Sequence, residues 1–143
     1  ILEQMDFDFV SVFAQDIPVF LLQSRRLEIT FATDYRFDFD LLDAAKNFPI
    51  RALEASVVHP KEYGWPLTLH DLLRYRTLVV RSNLPVIVPT QRKISPSDIP
   101  ILRSSGIKAV LIGANVTGQD VEGLKATVAS FRNAIDKSQN IMY

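Results

Sequence analysis

The chain has 143 residues, sixteen basic and sixteen acidic side chains that cancel, 48% hydrophobic residues and no cysteine. A neutral chain gives no electrostatic ground for nucleic acid or an anionic membrane as the main partner. Without cysteine there is no disulfide framework, thiolate nucleophile or Cys-ligated zinc site.

The length predicts one domain, residues 1–143, burying about two-thirds of the surface that the unfolded chain exposes. No apolar run approaches the roughly 18 residues that span a bilayer. The start, Ile1-Leu2-Glu3-Gln4, has no basic region of the kind that opens a signal peptide. A cytoplasmic location is therefore expected. The start also lacks Met, so a trimmed chain or a fragment is expected.

The first 26 residues are irregular. Asp8–Ala14 and Ile17–Gln23 both read as strands, but the gaps around them are too short for parallel crossovers. Two readings stay open there: a small antiparallel meander, or a segment from which intervening residues are absent.

From Leu27 the pattern becomes regular. Leu27–Thr33 reads as a strand, and Asp38 or Asp40 can cap a helix around Phe39–Phe48 that buries Leu41, Leu42, Ala45 and Phe48. Pro49–Val58 is the next strand, followed by a long loop, His59–Pro66. Thr68 then caps a helix with Asp71 three residues on, and offers Leu69, Leu72, Leu73, Tyr75 and Val79 for burial.

Leu84–Thr90 is a third strand of β-branched and apolar residues. Ser95 can cap a helix that has Pro96 at its first position and Asp98 at its third. That helix carries Ile99 and Leu102 and stops near Gly106. Lys108–Gly113 is the fourth strand. Val121, Leu124, Val128, Phe131 and Ile135 then recur as one helical stripe. Residues 27–143 thus make four β/α units, and such alternation implies parallel pairing.

Leu84-Pro-Val-Ile-Val, Ser95-Pro96-Ser97-Asp98, Ser105-Gly106-Ile107 and Ala109-Val-Leu-Ile-Gly113-Ala114-Asn115 together resemble the last quarter of the phosphate-binding (β/α)8 barrels, the group that includes indole-glycerol-phosphate synthase. The match covers about a third of the chain. The resemblance implies an α/β fold, the C-terminal half of a TIM-type barrel preceded by one or two extra strands. It also implies a phosphate held by backbone amides after strands seven and eight. Gly113, Ala114 and Asn115 match the second of those loops. The first departs: Thr90-Gln91-Arg92-Lys93 stands where relatives carry paired glycines. Arg92 and Lys93 could replace the lost cradle with side-chain charge. They could equally be solvated.

Three residues are candidates for proton transfer, because each falls near a predicted strand's C-terminal end, where barrel catalysis occurs. Glu54 lies in an otherwise apolar strand, where an unpaired carboxylate is expensive. The competing reading pairs it with Arg51 or another strand's arginine. Asp34 could be an acid/base group or a turn residue. His59 could transfer protons near neutral pH or simply open its loop. Trp65 in the loop Lys61–Pro66 could line a lid, but a plug at the barrel end is favoured. His70 reads as surface. Two histidines without HxxxH spacing give no metal site, and no motif calls for a cofactor. There is no Gly-x-Gly-x-x-Gly, P-loop or Gly-x-Ser-x-Gly elbow. No strand-end lysine is present either, which counts against Schiff-base chemistry.

These features favour a barrel enzyme of lyase or isomerase type. It would act on a small phosphorylated or carboxylated metabolite, with Glu54, Asp34 and His59 in catalysis. Gln91, Arg92, Gly113, Ala114 and Asn115 would bind the anion. The alternative is a non-catalytic barrel relative that binds a ligand or protein. A homo-oligomer is open in either case, since half a barrel leaves sheet edges bare.

Overall fold

A computed structural model describes residues 4–118 and 120–139. Five strands form one parallel sheet in chain order: β1 (Phe9–Phe13), β2 (Glu28–Ala32), β3 (Ile50–Glu54), β4 (Val86–Pro89) and β5 (Ala109–Leu111). The helices between and after them are α1 (Leu42–Ala45), α2 (Leu69–Ser82), α3 (Ile99–Ser104), α4 (Ala114–Thr117) and α5 (Val121–Gln139). Among the described residues the sheet is not closed: β1 pairs only with β2, and β5 only with β4.

The N-terminal segment corrects the sequence reading. Phe9–Phe13 is a strand, but it pairs parallel with β2, Phe9 opposite Glu28 and Phe13 opposite Ala32. There is no antiparallel meander. Ile17–Gln23 is not a strand; Val19–Gln23 forms a 3-10 turn entered from Pro18. Pro18 fixes the extended entry, and Leu21 N donates to Pro18 O at 2.9 Å. Ser24 Oγ then accepts from Leu27 N at 3.1 Å and turns the chain into β2. Compact turns let the short stretch between Phe13 and Glu28 act as a parallel crossover without an α-helix.

Caps set the later elements as their residue types require. Asp38 Oδ1 accepts from Asp40 N, so Asp38 opens the short helical segment. That segment ends at Ala45, and Leu41 and Phe48 stay exposed while Leu42 and Ala45 are buried. Thr68 and Asp71 form a reciprocal capping box on α2. Asn83 closes α2 in the left-handed region, φ 54°. Ser95 N donates to Asp98 Oδ2 at 2.8 Å. Gly106 stops α3 at φ +91°. In α2 the buried residues are Asp71, Tyr75, Leu78 and Ser82, while Leu69 and Leu73 face solvent.

The two sheet faces differ. Phe31, Leu53, Ala55, Val57, Val86 and Val88 join Leu42, Tyr75, Leu78, Leu102 and Phe131 in one core cluster. In register, Val12, Phe31, Leu53 and Val86 make one row across four strands. The alternate rows carry Ser11, Thr30 and Ala52, then Phe13, Ala32, Glu54, Ile87 and Ala109. Strand side chains alternate between faces. The helices therefore cover one face, and Glu54 lies on the other.

Candidate functional site

Glu54 is the last residue of β3, the central strand. Its Oε2 accepts from Ser11 Oγ at 2.7 Å and its Oε1 from Ser56 Oγ at 2.8 Å. Ser11 belongs to β1 and sits on the same sheet face; Ser56 follows two residues later, at the same phase of the alternation. The carboxylate is half-buried and has a hydroxyl on each oxygen. The competing ion pair is not formed with Arg51, which reaches Glu28 across β2 instead.

The two serines were not foreseen from sequence. Ser11 stands in Phe-Val-Ser-Val-Phe, where a hydroxyl interrupts an apolar strand, and Ser56 is at i+2 from Glu54. Both signals were present.

The other proton-transfer candidates lie on the loops that follow β2 and β3, and their printed partners do not include Glu54. Asp34 Oδ1 accepts from Arg36 N at 2.9 Å, and its Oδ2 is 3.6 Å from Arg36 Nε. This is the geometry of an Asx turn. His59 Nδ1 accepts from Lys61 N at 3.2 Å, capping the turn that follows. Its ring meets Tyr35 edge-on, with centroids 4.5 Å apart. Arg74, from α2, braces both loops: it donates to Val57 O at 2.6 Å and to Tyr35 O at 3.2 Å. Burial lowers its pKa from the usual arginine value, partly offset by Asp71, Tyr75 and Glu62.

The anion-binding candidates are largely engaged with the protein itself. Gln91 Oε1 accepts from Val58 N at 3.1 Å and its Nε2 donates to Tyr63 Oη at 2.8 Å, so it ties the end of β3 to the following loop. Gly113 N donates to Thr90 Oγ1 at 2.8 Å, and Asn115 Nδ2 donates to Thr90 O at 3.2 Å. Ala114 is exposed at the start of α4.

Arg92 is turned inward rather than toward the loop surface. It is 5% exposed. Its Nη2 reaches Glu62 Oε2 at 2.6 Å and Asp71 Oδ1 at 3.0 Å. Burial opposes its charge most, but Asp71 and Glu62 outweigh it and raise its pKa. Its charge is spent on two carboxylates, which sequence spacing could not reveal. Lys93 remains exposed.

The loop 59–66 is not a plug. Trp65 is 59% exposed. Its backbone is pinned instead, with Gly64 N on Gln91 O at 2.7 Å and Lys93 N on Trp65 O at 2.8 Å. Among the described residues no cluster of three or more His, Asp or Glu is placed to hold a metal ion. No described helix is long and apolar enough to cross a membrane.

No family model and no curated protein matches the chain. Solved structures do. The tryptophan synthase A-subunit of Pyrococcus furiosus matches 92% of this chain with a TM-score of 0.66 at 15% identity. Thiamine phosphate pyrophosphorylase from the same organism matches 93% with a TM-score of 0.65 at 16% identity. The likeness is one of fold. The chain shares with them five parallel strands alternating with helices, an α/β fold that resembles part of a TIM-type barrel, with the sheet unclosed among the described residues. The chain spans 57% and 61% of their lengths.

Proposed function

We propose that the chain is the Glu54-bearing part of a barrel enzyme of lyase or isomerase type, acting on a small phosphorylated or carboxylated metabolite. One observation carries this reading. A carboxylate stands at the C-terminal end of the central strand, on the face free of helices, and both oxygens are held by serine hydroxyls. Two donors from different segments fix the carboxylate's orientation. Each carboxylate oxygen keeps acceptor capacity beyond the one bond it takes. Glu54 would move a proton to or from substrate carbon or oxygen, and the serines are its positioning residues. His59 and Asp34, at the neighbouring loops, are proposed as further acid/base groups. The anion would sit against Gly113, Ala114 and Asn115, with Gln91 at its edge.

A specific observation favours a second reading, a non-catalytic ligand-binding or protein-interaction module. Arg92, Gly113 N, Asn115 and Gln91 all take partners within the protein, which weakens the case for a ready anion cradle.

A panel of sugar phosphates and oxo acids, scored by thermal shift and then by turnover, separates the two. Binding only to the native state raises the melting temperature. The enzyme reading expects one of these to bind and turn over, and Glu54→Gln to abolish turnover while binding and folding persist. Turnover that survives Glu54→Gln sinks the role given to Glu54. Binding without turnover in the wild type selects the module.

A further inference from the structure

Phe131, Ile135 and Ser138 stand at i, i+4 and i+7 on one face of α5. Phe131 is a buried core residue, and Ile135 packs at the edge of the core. Ser138 occupies the place where the stripe calls for another apolar side chain. It is 8% exposed, and its hydroxyl donates to Ile135 O at 2.8 Å, turning back on its own helix. Beside it lies a cleft of about 340 Å³ between α3, β5 and the last turn of α5. Ile99, Leu102, Ile107, Val110 and Ile135 give the cleft apolar walls.

Two cations stand at the same cleft. Arg103, on α3, donates from Nη1 to Ser138 Oγ at 3.3 Å, and Lys108 lines the entry to β5. Both are exposed, and among the described residues neither is in an ion pair. No acidic residue lines the cleft. The carboxylate beside this stretch of α5, Asp136, is held by Arg132.

We infer that this cleft is a binding site for a small amphiphilic carboxylate, its tail against Leu102, Val110 and Ile135 and its head group between Arg103 and Lys108. Size sets the scale of the occupant. Ligand sites run from about 300 to 1,000 Å³, and this one is near the lower end, room for a small molecule and not for a partner's helix. Charge complementarity sets its kind. A guanidinium with one N–H anchored on Ser138 still offers donors to a carboxylate, and the lysine adds a point charge. A purely apolar ligand would leave both cations unused, and a cationic amphiphile would meet repulsion. The cleft lies at the N-terminal end of β5, whereas Glu54 closes β3 at the opposite end of the parallel sheet. Its ligand is therefore distinct from the substrate proposed above.

The test titrates octanoate into the full chain, with octylammonium and inorganic phosphate as controls, and follows backbone amides by NMR. Octanoate should saturate and move the amides of Leu102, Arg103, Lys108, Val110 and Ser138. Octylammonium, with the same tail, and phosphate, with no tail, should each bind about tenfold more weakly or worse. Replacing both cations, Arg103→Gln with Lys108→Gln, should weaken octanoate by about tenfold and leave the fold intact, since both side chains are exposed. Ser138→Leu fills the space and should abolish octanoate binding while the melting temperature holds or rises. Equal binding of octylammonium overturns the inference, because the head group is then not selected. Equal binding of phosphate overturns it too, because the apolar walls then contribute nothing. Shifts confined to Phe7, Phe13 and Phe20, or to Glu54, put the ligand elsewhere, and a titration without saturation rejects the site. Overhauser contacts from residues 140–143 to Leu102 and Val110 would show that the chain itself fills the cleft, and would also overturn it. None of these readouts involves turnover, so the outcome is independent of the role proposed for Glu54.

Discussion

Arg92 and Asp71 face each other in the interior, Nη2 to Oδ1 at 3.0 Å and Nε to Oδ2 at 2.9 Å, with Arg92 5% and Asp71 2% exposed. The pair joins the loop after β4 to the first turn of α2. Asp71 is also the acidic member of the α2 capping box, accepting from Thr68 N at 2.9 Å and Thr68 Oγ1 at 2.7 Å. One carboxylate therefore serves a helix cap and an ion pair together.

Removing Arg92 leaves that carboxylate buried and under-compensated. Breaking a buried pair in this way costs about 3–5 kcal/mol. Arg92→Ala should lower the unfolding free energy by about that amount, measured by urea titration. Arg92→Lys keeps the charge but loses the two-pronged contact, and should fall between the two. An Arg92→Ala variant as stable as the wild type would show that the side chain is not committed to these carboxylates.

The same pair sets an acid limb. Burial is the largest influence on Asp71 and raises its pKa, but bonds from Thr68 and Arg92 together outweigh it, and the net shift is downward from 3.8. A depressed folded pKa contributes stability that is complete above the unfolded value and is lost as pH falls through the folded value. The wild type should therefore lose stability on acidification below about pH 4. Asp71→Asn should be less stable at neutral pH and lose less over that range. Parallel acid limbs in the two proteins would refute the assignment.

Tyr75 gives the opposite kind of prediction. Its ring is fully buried, and its hydroxyl has no hydrogen-bond partner among the described residues. Burial, with Asp71 nearby, pushes its pKa upward. An unmet buried donor costs about 1–3 kcal/mol. Tyr75→Phe keeps the ring and removes the hydroxyl, so it should be neutral or raise the melting temperature. A loss of 1 kcal/mol or more, on the scale of a typical net hydrogen bond, would reveal a partner for the hydroxyl.

Gly106 is held by two constraints. Its φ is +91°, and a Cβ there would meet Val79 Cγ1 at 2.8 Å and Arg76 Nη1 at 3.1 Å. Gly106→Ala should destabilise by at least about 1–2 kcal/mol from backbone strain alone. Adding Val79→Ala should recover the steric part, corrected for the cost of Val79→Ala by itself. A double-mutant cycle measures that coupling. Zero coupling would place the whole cost in the backbone.

The architecture was readable wherever the pattern was local. Leu84–Thr90, the Ser95-Pro96-Asp98 start and Gly106 each carry their own geometry, and the observed elements fall on them. The stretch Ile17–Gln23 misled because an apolar run around Pro18 fits a strand or a turn equally, and the crossover's compactness is a tertiary demand. The α5 stripe was half right: Phe131 is buried, whereas Val121, Leu124 and Val128 face outward at an unclosed end of the sheet. At the site, Glu54's position could be read because strand alternation and chain position place it. The fate of Arg92 could not, since its partners Glu62 and Asp71 lie 30 and 21 residues away.

Ser11 and Ser56 hold Glu54 from two segments, 43 and two residues distant in sequence. Each bond should contribute about 0.5–1.5 kcal/mol to stability. If their role is to orient the carboxylate, they share one partner and their effects should not add. Ser11→Ala and Ser56→Ala should each be mildly destabilising, and the double variant should differ from their sum. Within Glu54→Gln the serine substitutions should have changed effects, because an amide offers one acceptor oxygen in place of two. If a substrate is found, each serine variant should lower kcat more than it changes KM, since a misplaced group at the reacting centre costs rate rather than affinity. Additive stability effects with unchanged kcat would make the serines structural hydroxyls only and leave Glu54 without its positioning residues.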